Sequence, residues 1–180
     1  MDRARYFGEG IVFLGGKLYQ LTYQTRVGFI YDATTFELVG KFPFLSKEGW
    51  GLTTDGTNLI MSDGTDKLTY LDSASFRILK TITVYDSEGP VQGINELEHI
   101  ADFIFANVYT TNYLIQIDPK TGQVVGKIDL TSVAQDARAK NKNALDLNGI
   151  AYDSIKGTTY ITGKFWPAMY EIKFSVARRK

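Results

Sequence analysis

The sequence predicts an all-β fold in which four-stranded blades repeat around a central channel, a β-propeller. Three observations predict it. Short apolar runs, with 11 Tyr and 11 Phe, alternate with turn residues along the chain, which has 17 Gly; this is strand rather than helix composition. One plan of four runs occurs three times and begins a fourth. Anchor positions Glu9, Trp50, Asn95 and Asn148 recur at spacings of 41, 45 and 53 residues, about the length of a propeller blade.

The first unit runs Gly8 to Phe13, a Gly15-Gly16 turn, Lys17 to Tyr23, Gly28 to Asp32 and Glu37 to Phe44. The second runs Gly49 to Leu52, an Asp55-Gly56 turn, Asn58 to Ser62, Lys67 to Asp72 and Arg77 to Val84. The third runs Ile94 to Glu98, Phe103 to Tyr109, Tyr113 to Asp118 and Gln123 to Leu130. The fourth runs Leu147 to Ile150, Thr159 to Gly163 and Ala168 to Lys173. The turns between third and fourth strands begin at Asp32, Asp72 and Asp118. Aspartate suits them because its carboxylate accepts a nearby backbone N–H. The longest spacing holds an insertion, 131–146, rich in Ala, Lys, Asp and Asn, expected as a short helix or a loop over one face. The whole chain, 1–180, reads as a single propeller domain of about four blades. Three units and part of a fourth do not close a ring, and closure is what removes open sheet edges. The expectation is therefore further sequence before Glu9, self-association, or a partner chain covering the edges.

Composition narrows the function classes. Lys+Arg and Asp+Glu both number 20, for a net charge of +0, which gives nucleic acid or an anionic membrane nothing to recognise. The basic cluster Arg178-Arg179-Lys180 reads as a solvated tail. There is no cysteine, so disulfides, thiolate nucleophiles and cysteine zinc sites are excluded. No apolar run approaches a membrane span of about 20 residues, and no signal-peptide pattern follows Met1. His99, the sole histidine, reads as a surface or packed residue, without the spacing of a metal site or a hydrolase triad. Asp63-Gly64-Thr65-Asp66 reads as a hairpin turn rather than a calcium loop. No metal or cofactor is expected.

Comparing equivalent positions between units exposes a candidate site. Where packing alone decides, such positions should carry similar residues. The second residue of each first strand is instead Glu9, Trp50, Asn95 and Asn148, and the end of each second strand is Tyr23, Asp63, Tyr109 and Lys164. First strands line the channel, so both sets converge at one mouth. Carboxylate, ammonium, amides and aromatics then meet there, as in a small-ligand pocket. Singly, each has a plainer reading. Glu9 suits a solvated turn, Trp50 blade packing, Lys164 the surface, and Asn95 a bond to backbone. Their shared place in the repeat is what favours a site.

The same residues carry a resemblance. Tyr6-Phe7-Gly8-Glu9-Gly10, Leu18 to Tyr23, Gly28 to Asp32, Gly49-Trp50-Gly51-Leu52, Asp63-Gly64-Thr65, Asn95-Glu96-Leu97-Glu98, Leu147 to Ala151 and Thr162-Gly163-Lys164-Phe165-Trp166-Pro167 come in the order found in plant and bacterial glutaminyl-peptide cyclotransferases. The chain resembles that family over nearly its whole length. The resemblance implies a five-bladed propeller and a zinc-independent acyltransferase. It implies that N-terminal glutamine of peptides or proteins is converted to pyroglutamate with loss of ammonia. It puts the catalytic carboxylate on Glu9, the site lysine on Lys164 and the site asparagine on Asn95. Pocket aromatics fall on Phe7, Tyr23, Trp50 and Tyr109, and Asn148 stands beside them in the repeat. Similar proteins often carry Trp at the positions of Tyr23 and Tyr109. The family's Phe-x-Gln-Gly segment, on an N-terminal blade, has no counterpart here. The family leans towards secretion or the periplasm. Two other classes stay open: a non-catalytic propeller that binds peptides or a partner chain, and a metal-dependent lactonase, which Lys164 in the channel disfavours.

Overall fold

The computed structural model describes residues 1–174; the cluster Arg178-Arg179-Lys180 lies outside the described residues. Strands β1 (Gly8–Leu14), β2 (Lys17–Thr22), β3 (Val27–Asp32) and β4 (Leu38–Pro43) pair antiparallel in chain order as one sheet. The second sheet is β5 (Leu52–Thr54), β6 (Asn58–Ser62), β7 (Lys67–Asp72) and β8 (Ile78–Thr83). A hairpin of β9 (Tyr85–Asp86) and β10 (Gly89–Pro90) leads into the third, β11 (Ile94–Ile100), β12 (Phe103–Val108), β13 (Tyr113–Ile117) and β14 (Val124–Asp129). Helix α1 (Thr131–Lys140) precedes the fourth sheet, β15 (Leu147–Asp153), β16 (Thr158–Gly163) and β17 (Tyr170–Ile172). The chain is thus all-β, its four small sheets arranged as propeller blades.

Strand alternation explains why the blades stack. Successive side chains of a strand point to opposite faces, and here both faces are apolar. On β6, Leu59 and Met61 join a core shared with the first blade, and Ile60 a core shared with the third. On β12, Ile104 and Ala106 face the second blade, and Phe103 and Phe105 the fourth. Three cores therefore lie between consecutive blades. The fourth strands β4, β8 and β14 are largely exposed. Helix α1 buries Ala134 and Ala137 in the last core, and Asp136 accepts from Tyr170 Oη at 2.7 Å, tying the helix to β17.

The inner strands run side by side in the order β1, β5, β11, β15. Glycine makes their approach close. The Gly10 N–H donates to the Trp50 carbonyl at 2.7 Å, and a Cβ on Gly51 would sit 2.1 Å from the Asn95 carbonyl oxygen. One expected boundary differs: the second blade's first strand starts at Leu52, not Gly49, because Trp50 and Gly51 both bond Ser62. The Trp50 N–H donates to the Ser62 carbonyl at 3.1 Å and the Ser62 N–H to the Gly51 carbonyl at 3.0 Å, so two residues oppose one ahead of the regular ladder. The β9–β10 hairpin had no strand pattern to announce it. It consists of two-residue strands, too short for alternation to register.

Candidate active site

Three inner strands carry the same irregularity. Between Gly8 and Ile11 of β1, Ile94 and Leu97 of β11, and Leu147 and Ile150 of β15, one extra residue opposes the second strand. These are β-bulges, which bend a strand and re-aim its side chains. The bulged pairs are Glu9-Gly10, Asn95-Glu96 and Asn148-Gly149. The second set of candidates also shares one local position. Tyr23, Asp63, Tyr109 and Lys164 each directly follow the second strand of their blade.

Seven of the eight expected residues meet. Phe7, Glu9, Tyr23, Trp50, Asn95, Tyr109 and Lys164 line one cavity of about 410 Å³. Asn148 does not line it; the fourth blade contributes Lys164 instead. Backbone bonds hold the walls. Tyr23 N–H donates to the Phe7 carbonyl at 3.0 Å, and Gly49 N–H to the Tyr23 carbonyl at 2.8 Å. Tyr109 N–H donates to the Gly93 carbonyl at 2.8 Å. Lys164 is exchanged into a short ladder with the segment after α1: its N–H donates to the Asp146 carbonyl at 3.0 Å, and its carbonyl accepts from Leu145 N–H at 2.8 Å. Trp166 anchors the same loop through Nε1 to the Leu145 carbonyl, 3.0 Å.

The aromatic rings meet edge to face. Phe7 and Tyr23 lie 6.5 Å apart at 69°, and Trp50 and Tyr109 5.3 Å apart at 79°. Such geometry suits the ring quadrupoles. The Lys164 ammonium stands 5.4 Å over the Tyr109 ring, a cation–π distance.

Burial pushes the Glu9 carboxyl up to about 6, against the downward pull of the Lys164 ammonium and with an upward push from Glu48. A carboxyl in that range both accepts and returns a proton near neutral pH. Asn95 is 4% exposed and its Oδ1 has no hydrogen-bond partner in the protein. Such an atom is costly to bury unless something bonds to it.

Two acidic residues of β11, Glu96 and Glu98, lie outside this cavity and had no mark in the repeat. Burial, and then Glu9 and Glu98, push Glu96 up to about 7. Burial likewise raises Glu98 to about 7, although it accepts from Tyr152 N–H at 2.9 Å. A signal existed: carboxylates at i and i+2 share one face of a strand. Glu96 and Glu98 line a second cavity of about 740 Å³, with β1 and β15 on its walls. Glu48, directly before Gly49-Trp50-Gly51, had no pattern to mark it. His99 lies half-buried along this second cavity, its backbone N–H donating to Thr53 Oγ1 at 3.1 Å. Asp63 accepts from Thr65 N–H at 3.1 Å inside the turn between β6 and β7, Gly64 having φ 80°. Among the described residues no group of three or more His, Asp, Glu or Cys is arranged to hold a metal ion.

A family model described as glutamine cyclotransferase matches residues 2–174. Over 176 residues the chain is 38% identical to a glutaminyl-peptide cyclotransferase of Arabidopsis thaliana, an alignment covering 97% of this chain and 55% of that protein. The chain thus spans about half the length of this curated relative. The crystal structure of Myxococcus xanthus glutaminyl cyclase superposes with a TM-score of 0.90 at 32% identity, covering 98% of this chain and 76% of that one. The WD40 beta propeller domain of Doa1 superposes at 0.53 with 10% identity, covering 92% of this chain and 49% of that one, a likeness of fold alone.

Proposed function

The chain belongs to the glutamine cyclotransferase family, and from that premise we propose that it cyclises N-terminal glutamine of peptides or proteins to pyroglutamate, releasing ammonia. The observation that carries the proposal is the convergence of Glu9, Asn95 and Lys164 with four aromatics on one cavity.

The reaction needs a neutral α-amine, a route for its proton and a place for negative charge. A free α-amine has a pKa of about 7.7–8.0, so deprotonation costs little near neutral pH. The amine nitrogen attacks the carbon of its own γ-carboxamide, forming the ring C–N bond and a tetrahedral oxyanion. Glu9 accepts the proton that the amine loses. It then donates a proton to the departing amide nitrogen as the second C–N bond breaks, leaving lactam and ammonia. One carboxyl raised to about 6 serves both steps, first as base and then as acid. Lys164, beside Glu9 on the cavity wall, donates to the oxyanion, and the Asn95 amide bonds the folded-back substrate. Phe7, Tyr23, Trp50 and Tyr109 pack the side chain and exclude water, holding the conformer in which amine and carboxamide meet. Tyr23 and Tyr109 present hydroxyls that an indole would not, so they alter which side chains fit.

Ammonia release from a Gln-initiated dipeptide tests this, with purified chain and with chelator present. Turnover that persists with chelator, rises with pH through about 6 and falls by roughly a hundredfold or more in Glu9→Gln is the expected result. A folded chain that binds the dipeptide without releasing ammonia replaces this reading with that of a binding propeller. Full activity in Glu9→Gln removes Glu9 from the mechanism.

A further inference from the structure

Glu48 does not line the cavity, yet it bonds the wall residue Trp50 and, beside the wall residue Tyr23, Gln24. Its Oε2 accepts from Trp50 Nε1 at 2.8 Å, and its Oε1 from Gln24 Nε2 at 2.9 Å. Burial, and then the charge of the same carboxylate, push the Tyr23 phenol up. Tyr23 and Gln24 belong to the corner after β2 of the first blade, whereas Trp50 belongs to the second. The bonds from Gln24 and Trp50 hold the Glu48 carboxyl below its ordinary value against partial burial, so it is an anion and a strong acceptor.

We propose that Glu48 is a positioning residue for this site, clamping the Trp50 indole against the Tyr23–Gln24 corner so that aromatic walls from two blades keep one spacing. The identity of what fits between the walls rests on the cyclase reading; the clamp itself does not.

The surroundings of Trp50 show why it needs the clamp. One side of the indole packs on Gly64, where a Cβ would sit 2.7 Å from the ring. Tyr109 meets it edge to face at 5.3 Å. These two contacts are apolar and undirected along the ring edge, and the Nε1–H bond to Glu48 adds the directional one that fixes the indole orientation. The constraint then passes through Tyr109 to Lys164, whose ammonium lies over the Tyr109 ring. Glu48 has an electrostatic part as well. The charged and titratable groups that act on or are acted on by Glu9 are Lys164, Glu48, Glu96 and Tyr23. Of these, Glu48 is the anion held in its charged form by hydrogen bonds, so removing its charge makes Glu9 easier to ionise.

The test uses Glu48→Ala and Glu48→Gln in a Trp166→Phe background, where Trp50 is the one remaining tryptophan. In Glu48→Ala, Trp50 emission should shift and its quenching by acrylamide should rise. KM for a Gln-initiated dipeptide should rise roughly tenfold, the scale of one lost charged hydrogen bond, with kcat changing less. Glu48→Gln keeps an oxygen for the indole N–H, so it should restore Trp50 emission. It lacks the charge, so both variants should lower the Glu9 titration midpoint followed by NMR of carboxyl-labelled glutamate. With Trp50→Phe, which has no N–H, adding Glu48→Ala should raise KM no further. Unchanged emission and quenching in Glu48→Ala overturn the clamp, as does an unchanged KM in an active enzyme. A wild-type chain without turnover but with these spectral changes overturns the cyclase reading and keeps the clamp.

Discussion

Glu96 stands where the other three blades have Gly10, Gly51 and Gly149. At Gly10 and Gly51 the backbones pack so closely that a side chain has little room, a Cβ on Gly10 lying 2.5 Å from the Leu52 nitrogen, and Gly149 has φ 142° with the Thr162 methyl 2.8 Å from where a Cβ would sit. The third blade instead sends a carboxyl to the second cavity. Burial, Glu9 and Glu98 raise it to about 7, so the folded chain binds its proton more tightly than the unfolded chain does. The sign follows: the stabilisation is complete below the unfolded value of 4.5 and is lost as pH rises through about 7. Glu9 and Glu98, also raised, act in the same direction. Glu96→Gln, which imitates the protonated form, should therefore match the parent in acid. At pH 8 it should be the more stable by on the order of 1 kcal/mol. Urea unfolding at the two pH values checks this, and a variant equally weakened at both would place the cost in packing instead.

The turns between third and fourth strands show one element solved in two ways. Asp32 accepts from Thr34 and Thr35 N–H at 2.8 and 2.9 Å, and Asp72 from Ala74 and Ser75 N–H at 3.2 and 2.6 Å. Asp118 accepts from Lys120 N–H at 2.9 Å. Each turn ends in a left-handed residue: Phe36 (φ 57°), Phe76 (φ 58°) and Gly122 (φ 82°). A non-glycine residue there is strained by about 1 kcal/mol. Gly122 avoids that cost, and its missing Cβ would collide with the Thr83 carbonyl at 2.0 Å. Phe76 offsets the cost by stacking on Phe42 at 4.6 Å and lying 6.4 Å from Tyr19. Phe36 is 60% exposed and has no comparable contact to offset it. Phe36→Gly should thus stabilise by a few tenths to about 1 kcal/mol, whereas Phe76→Gly should destabilise by about 2 kcal/mol. Thermal melts of the two variants should move in opposite directions.

At the scale of the molecule, blades are joined by apolar cores and by a few buried polar bonds near the channel. Ser62 is fully buried; its Oγ donates to the Asn95 carbonyl at 2.7 Å and accepts from Gly51 N–H at 2.8 Å. It therefore links the second blade to the strand that presents Asn95. Ser62→Ala leaves a buried N–H and a buried carbonyl without that partner, which costs about 1–3 kcal/mol. The expected outcome is a lower urea midpoint together with weaker dipeptide binding, since Asn95 loses its backbone tether. A stability loss with unchanged binding would show that β11 holds Asn95 without help from the second blade.

Much of this protein was legible in the chain because a radial repeat prints itself in sequence. Strand alternation, Asx turns and the spacing of Glu9, Trp50, Asn95 and Asn148 are local properties, and each blade restates them. That is why most strand limits are legible in the sequence, as are seven of the eight candidate residues that the structure brings to one cavity. Asn148 shows the limit, since it has the right place in the repeat, yet Lys164 is what its blade brings to the cavity. The start of β5 at Leu52 and the carboxyls of Glu48, Glu96 and Glu98 also depended on the assembled structure. A pKa, a shared hydrogen bond or a close approach of inner strands is set by atoms from different blades, up to 46 residues apart between His99 and Thr53 and 54 between Tyr152 and Glu98. The period and the residues that each blade offers are written in the chain; which of those residues face one another follows from packing the blades around one channel.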